Sequence, residues 1–186
     1  MPETNLYFIA VIPSRDLRNK VTELKRDIAT RFHSARALKV MPHITLKAPF
    51  KLPFVAHNIL LTWFSNLELP EPPFTVALQG FGAFNNKKNR VIFIKPALNL
   101  SLALLQREIV NSLKTLEPAV VQPVDKNFTP HITIAYRDLT PENFEKAWKE
   151  YSHKEFEAQF EINAVHLLQH NGTQWNIIMS KPLADT

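Results

Sequence analysis

The chain has 186 residues, 45% of them hydrophobic, with no cysteine, three glycines and a formal charge of +5. The lack of cysteine excludes disulfides, thiol nucleophiles and thiolate zinc sites. The scarcity of glycine, with neither GxxxxGK[ST] nor GxGxxG present, argues against a glycine-rich phosphate loop, while the positive balance suits ligands that carry phosphate, although a solvated basic surface gives the same excess.

The apolar run at 6–12 stops at Pro13 and predicts a buried central strand. It is too short to span a membrane and no basic segment precedes it, so neither a signal peptide nor an anchor is expected. Ser14 can cap a helix whose apolar positions are Leu17, Val21, Leu24, Ile28 and Phe32, and Arg18, Lys20, Lys25, Arg26 and Arg31 fall on its expected solvated face. Residues 35–41 lead into a strand at 43–49. A helix is predicted over 54–67, packed through Ile59, Leu60, Trp63, Phe64 and Leu67, with His57 as a structural residue. The stretch Leu69-Pro70-Glu71-Pro72-Pro73 reads as a stiff loop. Strands at 74–84 and 90–95 pair across Asn85-Asn86-Lys87-Lys88-Asn89, the second buried on both faces. Phe84 can fill the core or stack on a base. A second amphipathic helix at 101–116 and a proline-punctuated loop at 118–128 lead to a strand at 131–137. Thr140-Pro141 starts a helix that turns Phe144, Ala147, Trp148 and Tyr151 inward. A last hairpin pairs 159–170 with 173–181 across Asn171-Gly172. His166 and His170 are spaced to share a metal on a helix; on a strand they diverge, so no metal site is expected there and His166 takes a packing role.

Pro42-His43-Ile44-Thr45-Leu46 returns as Pro130-His131-Ile132-Thr133-Ile134, eighty-eight residues on (43 to 131). In a strand, residues i and i+2 share a face, about 7 Å apart. His43 and Thr45 therefore project together, as do His131 and Thr133, with aliphatic residues behind. One imidazole can remove a proton near neutral pH while a second donates one, and threonine hydroxyls can hydrogen-bond phosphoryl oxygens. Two such pairs around one anion make a constellation for phosphoryl transfer that calls for no metal and no cofactor. By strand parity Lys47 looks into the same space, either as a phosphate ligand or as a strand-end lysine reaching solvent. Arg137 shares the face of His131 and Thr133, and its fork suits phosphate. Tyr136 can stack a base.

Two H-x-[ST]-aliphatic motifs at this separation resemble the 2H phosphoesterase superfamily, and within it the 2′-5′ RNA ligase / cyclic nucleotide phosphodiesterase branch. The likeness extends over most of the chain, because the order strand, helix, strand, helix, hairpin, helix, strand, helix, hairpin fits as well. It implies an α+β, two-lobed duplicated fold in which antiparallel sheets line a central cleft and helices pack outside. Residues 1–186 are then one domain of two pseudo-symmetric lobes, one contributing His43-Thr45 and the other His131-Thr133. The implied catalytic residues are His43 and His131, with Thr45 and Thr133 on the substrate and Lys47, Tyr136 and Arg137 as further ligands. The family often places Arg where this chain has Tyr136. The implied activity is opening of cyclic phosphodiesters, foremost RNA or nucleoside 2′,3′-cyclic phosphates, with reversible 2′-5′ ligation. RNA termini or small cyclic nucleotides are the expected substrates of a cytoplasmic monomer with no membrane association and no stable protein partner. A non-catalytic RNA- or nucleotide-binding module with the same cleft is the alternative. Another small phosphodiester, such as a cyclic phosphate on an ADP-ribose derivative, is a further substrate class.

Overall fold

The computed structural model describes residues 3–69, 71–87 and 89–184; Pro70 of the stiff loop and Lys88 of the polar turn lie outside the described residues. Along the chain run β1 (Thr4–Val11), α1 (Arg15–Phe32), β2 (Ile44–Pro53), α2 (His57–Ser65), the hairpin of β3 (Phe74–Asn85) and β4 (Arg90–Pro96), and α3 (Leu100–Leu116). A short α4 (Pro123–Lys126), β5 (Ile132–Tyr136), α5 (Pro141–Tyr151), β6 (Glu157–Ile162) and the hairpin of β7 (Ala164–His170) and β8 (Trp175–Pro182) follow. Single 3-10 turns at Arg36–Lys39, Phe54–Ala56 and Pro118–Val120 fill connections. The helix starts are set by side chains that satisfy free N–H groups: Ser14 Oγ accepts from Leu17, Asn99 Oδ1 from Leu102 and Thr140 Oγ1 from Asn143. At the β7–β8 turn Asn171 Oδ1 accepts the N–H groups of Thr173 and Gln174, and Gly172 takes a left-handed φ of 98° that its missing Cβ permits.

The strands form two antiparallel sheets, ordered β2-β1-β7-β8 and β5-β4-β3-β6. The hairpins are exchanged with respect to sequence: β3–β4 builds the sheet of the second motif and β7–β8 the sheet of the first. The expected strand at 159–170 is therefore two strands. Phe160 and Ile162 are buried with β6 against β3, Val165 and Leu167 are buried with β7 against β1 and β8, and the chain changes sheets at Asn163. The helix expected over 54–67 is shorter. A 3-10 turn precedes it, Leu60 and Phe64 carry its packing, and Ile59 is 58% exposed. Helices pack outside the sheets. Tyr7, Ile9 and Ile44 of the first sheet, Ile92 and Ile132 of the second, and Val21, Ile28, Leu105 and Phe144 of the helices belong to one apolar cluster. Among the described residues no helix is long and apolar enough to cross a membrane.

Both motif strands are sheet edges, and both carry the same irregularity. Ala10 pairs with Thr45 and Ile9 with Lys47, which leaves Leu46 as an extra residue; Phe93 pairs with Thr133 and Ile92 with Ala135, which leaves Ile134 extra. A bulge of this kind breaks the alternation of faces. Beyond it, Lys47 and Ala135 turn into the core. Lys47 therefore does not share the face of Thr45. Its side chain is 0% exposed, its Nζ lies 3.1 Å from Asp125 Oδ2, and it donates to Ala48 O.

Asp125 also accepts from the N–H groups of Ala48 and Gln122, and its own carbonyl takes a hydrogen bond from Gln106 of α3. This buried pair ties the end of the first motif strand to α3 and α4. Removing one partner of a buried ion pair strands the other charge, at about 3–5 kcal/mol. Asp125→Ala is expected to lose that much stability in urea denaturation. Lys47→Met should lose less, because the carboxylate keeps two N–H donors. Equal, small losses in both variants would show that the pair does not hold this corner.

Candidate active site

The site is built from matched anchors. His43 and His131 each stand one residue before their strand, and each Nδ1 lies 2.7 Å from the carbonyl oxygen two residues upstream, Met41 O and Thr129 O respectively. A carbonyl can only accept, so both Nδ1 atoms carry the proton. The neutral rings therefore keep Nε2 as a proton acceptor. Aromatic rings pack on each imidazole: Phe8 on His43, with centroids 4.9 Å apart, and Phe84 and Phe93 on His131, at 5.4 and 5.2 Å. Phe84 thus neighbours a motif histidine.

A cavity of about 400 Å³ lies between the motif strands, lined by His43, Thr45 and Thr133 together with Tyr136, Arg137 and Lys25. That volume is in the range of small-molecule sites. Of the residues singled out by sequence, the structure brings His43, Thr45, Thr133, Tyr136 and Arg137 to this cavity. His131 is not among the residues that line it; its ring stands two positions before Thr133, packed by Phe84 and Phe93. Lys47 is in the core. Tyr136 reaches the cavity because the bulge at Ile134 shifts strand parity by one. Arg137 reaches it at the strand end, in a left-handed conformation (φ 62°) that non-glycine residues seldom adopt.

Burial pushes His43 down to about 4, against its bond to Met41, and the charges of Lys25 and His131 lower it further. Burial also lowers His131, against its bond to Thr129. Both rings are only half-buried by exposure, so the crowding comes from the aromatic and aliphatic walls while one side stays open to the cavity.

Lys25 is a cavity-lining residue that sequence reasoning placed in solvent. Its side chain is buried, the residue being 3% exposed, and Nζ donates to Ala37 O and Val40 O at 3.0 and 2.8 Å. Burial lowers its pKa to about 8, so it remains mostly charged at neutral pH. The signal was present: Lys25 falls four residues after Val21 and three before Ile28, on the apolar stripe itself. The segment that supplies its carbonyls is held from the second motif strand. Asp138, just beyond β5, accepts from Ser34 Oγ and from the N–H groups of Ala35 and Arg36. The cavity's other wall comes from the exchanged hairpin. His170 and Trp175 line it, and Trp175 meets Phe8 edge-on at 4.5 Å. His57, by contrast, does not line the cavity, and its Nδ1 lies 2.7 Å from the Tyr7 hydroxyl.

Comparison with known proteins places this geometry. The sequence profile described as the 2′-5′ RNA ligase superfamily matches residues 13–174. A Bacillus cytotoxicus protein named as a candidate phosphoesterase is 29% identical over 170 residues, 91% of each chain. The fold is similar to that of TT0787 from Thermus thermophilus, with a TM-score of 0.69 at 20% identity over 97% of this chain and 98% of that one. It is equally similar to E. coli LigT complexed with 3′-AMP, at 0.69 and 16% identity over 98% and 100%. Kluyveromyces marxianus Usb1 is more distant, at 0.54 and 12% identity over 96% and 98%. With the profile spanning both H-x-T strands, whose threonines meet at one cavity, this chain belongs to the 2′-5′ RNA ligase superfamily of 2H phosphoesterases.

Proposed function

We propose that this protein opens cyclic phosphodiesters by adding water, with RNA or nucleoside 2′,3′-cyclic phosphates as its substrates. The observation that carries the reading is the paired anchoring of Nδ1 on Met41 O and Thr129 O, which leaves two Nε2 atoms free for proton transfer beside two threonines. In this reading the two lobes of one domain each supply one motif.

The resting rings are neutral at pH 7, as the direction of both shifts requires. An anionic phosphate entering between them favours a protonated imidazole. Two interacting rings resist carrying two protons, so the pair enters the reaction with one. One imidazole acts as the base and the other carries the proton. The base takes a proton from water as the water oxygen bonds to phosphorus. The bond from phosphorus to one ribose oxygen breaks, and the protonated imidazole gives its proton to that oxygen. Thr45 and Thr133 donate to the non-bridging oxygens, where hydrogen bonds matter most as charge develops. Tyr136 offers a face to the base, and Arg137 adds charge at the cavity. With a 5′-hydroxyl in place of water, the same steps join the two ends through a 2′-5′ linkage.

The test is hydrolysis of the four nucleoside 2′,3′-cyclic monophosphates in excess chelator. Wild type is expected to turn over, and His43→Ala and His131→Ala each to lose about 10²–10⁴-fold in rate. Nucleotide binding by folded wild type with no turnover of any cyclic phosphate would instead favour the binding-module reading.

A pH dependence of stability follows from the same rings. Their folded pKa values lie below the unfolded value near 6.5. Between pH 6.5 and about 4 the unfolded chain binds protons that the folded chain refuses. The stabilising contribution is complete above pH 6.5 and is lost as pH falls toward 4. Thermal melts from pH 7 to 4.5 are expected to show Tm falling for wild type and falling less for His43→Gln. Identical slopes would rule out His43 as a source of acid lability.

A further inference from the structure

A second cavity, of about 260 Å³, adjoins the first: Lys25 and Val40 line both. Met41 and Pro42 form part of its wall, so it borders the segment whose carbonyl anchors His43. Arg15, Arg18, Asn19 and Thr22 of α1 complete the polar lining. Among the described residues this lining holds three cations and no carboxylate. Arg18 Nε is buried and has no hydrogen-bond partner among the described residues. That nitrogen is shut off from solvent, so a ligand in the cavity can meet Arg18 only through the terminal N–H groups of its guanidinium. The guanidinium fork is matched to phosphate oxygens in both geometry and charge.

We propose that this second cavity is a subsite for a second phosphate of the same substrate, one nucleotide position away from the phosphodiester being opened. The proposal rests on the phosphoesterase reading and sharpens it: the preferred substrate is an oligonucleotide end or a nucleotide with two phosphates rather than a bare cyclic mononucleotide. Lys25 stands between the two anions and serves both. Arg18 supplies the directional contact, and Arg15, exposed at the mouth, adds long-range attraction. The second phosphate has two sources, a phosphodiester to a neighbouring nucleotide or a terminal phosphomonoester.

The experiment compares kcat/KM for adenosine 2′,3′-cyclic phosphate, its 5′-phosphorylated form, and a dinucleotide ending in the same cyclic phosphate. Wild type, Arg18→Gln and Arg15→Gln are measured side by side. Wild type is expected to prefer at least one doubly charged substrate by roughly tenfold, the size of one charge-assisted hydrogen bond. Arg18→Gln should erase the preference and Arg15→Gln reduce it, with the bare cyclic nucleotide unaffected. The substrate that shows the gain identifies the source of the phosphate. Equal kcat/KM for all three substrates in wild type, or a preference that survives both substitutions, overturns the subsite and leaves the phosphoesterase reading standing. If wild type opens none of them, that reading falls, and calorimetric binding decides the subsite alone. Roughly tenfold tighter binding of adenosine 3′,5′-bisphosphate than of adenosine 3′-monophosphate, lost in Arg18→Gln, keeps it; equal affinities sink it.

Discussion

An extra residue in each motif strand, immediately after the threonine, is the constraint on which the rest of this structure depends. A regular strand would alternate Thr45, Leu46 and Lys47 between cavity and core, and would do the same for Thr133, Ile134 and Ala135. With Leu46 and Ile134 unpaired in the ladder, two successive residues enter the core. On the first strand that second residue is a lysine, and its burial is tolerated because Asp125 meets it with a full set of donors around the carboxylate. On the second it is an alanine, buried in the apolar core with no charge to meet. The same local device thus fixes the facing of each His-Thr pair while giving the two strands different anchoring behind them.

The cavity wall holds a buried cation that no carboxylate meets among the described residues. Lys25 is desolvated and bonded to two carbonyls, neither of which neutralises it. Its field and the apolar walls hold His43 deprotonated. An incoming phosphate reverses both effects at once, stabilising the ammonium and favouring imidazolium. In the phosphoesterase reading, substrate binding and proton uptake are thereby linked. The linkage also reaches across the fold: Asp138 beyond β5 holds the 34–36 segment, whose 3-10 turn presents the carbonyls that hold Lys25. The position of the cation beside the first motif is therefore set by the end of the second motif strand.

Much of this was legible in the sequence, and the remainder was hidden for physical reasons. The H-x-T words at 43 and 131, the α+β class, the caps at Ser14 and Thr140 and the Asn171-Gly172 turn are local signals, and local signals survive into the fold. A bulge has no such signature. Nothing in Ile-Thr-Leu-Lys distinguishes a strand that keeps its register from one that slips by a residue, so parity assigned Lys47 to the wrong face. Lys25 was misplaced differently. Its position on the apolar stripe was visible, but a charge on such a stripe reads as an edge residue unless the carbonyls that receive it are known, and those come from residues 37 and 40 across a turn. The split at Asn163 belongs to the same class. Both halves of 157–170 have strand character, and only the competition between two sheets decides that the chain leaves one for the other there.

That exchange has a consequence for how substrate choice is built. The motif strands β2 and β5 stand at the edges of their sheets, each beside the strand that precedes it in the chain, and β1 is continued by the distant hairpin of β7 and β8. The cavity wall that carries His170 and Trp175 comes from β7 and β8, which share a sheet with His43 and Thr45 but lie in the last quarter of the sequence. The basic side chains of the second cavity come from α1, outside both motifs. The chemical groups and the groups that meet the rest of the ligand therefore occupy different elements. A substitution at Trp175 or Arg18 changes a cavity wall without altering the carbonyl anchors of the two imidazoles, because each anchor is made two residues upstream of its histidine. Reaction and recognition are separable in this fold because the bonds that orient the rings are local while the walls of the cleft are assembled from distant chain segments.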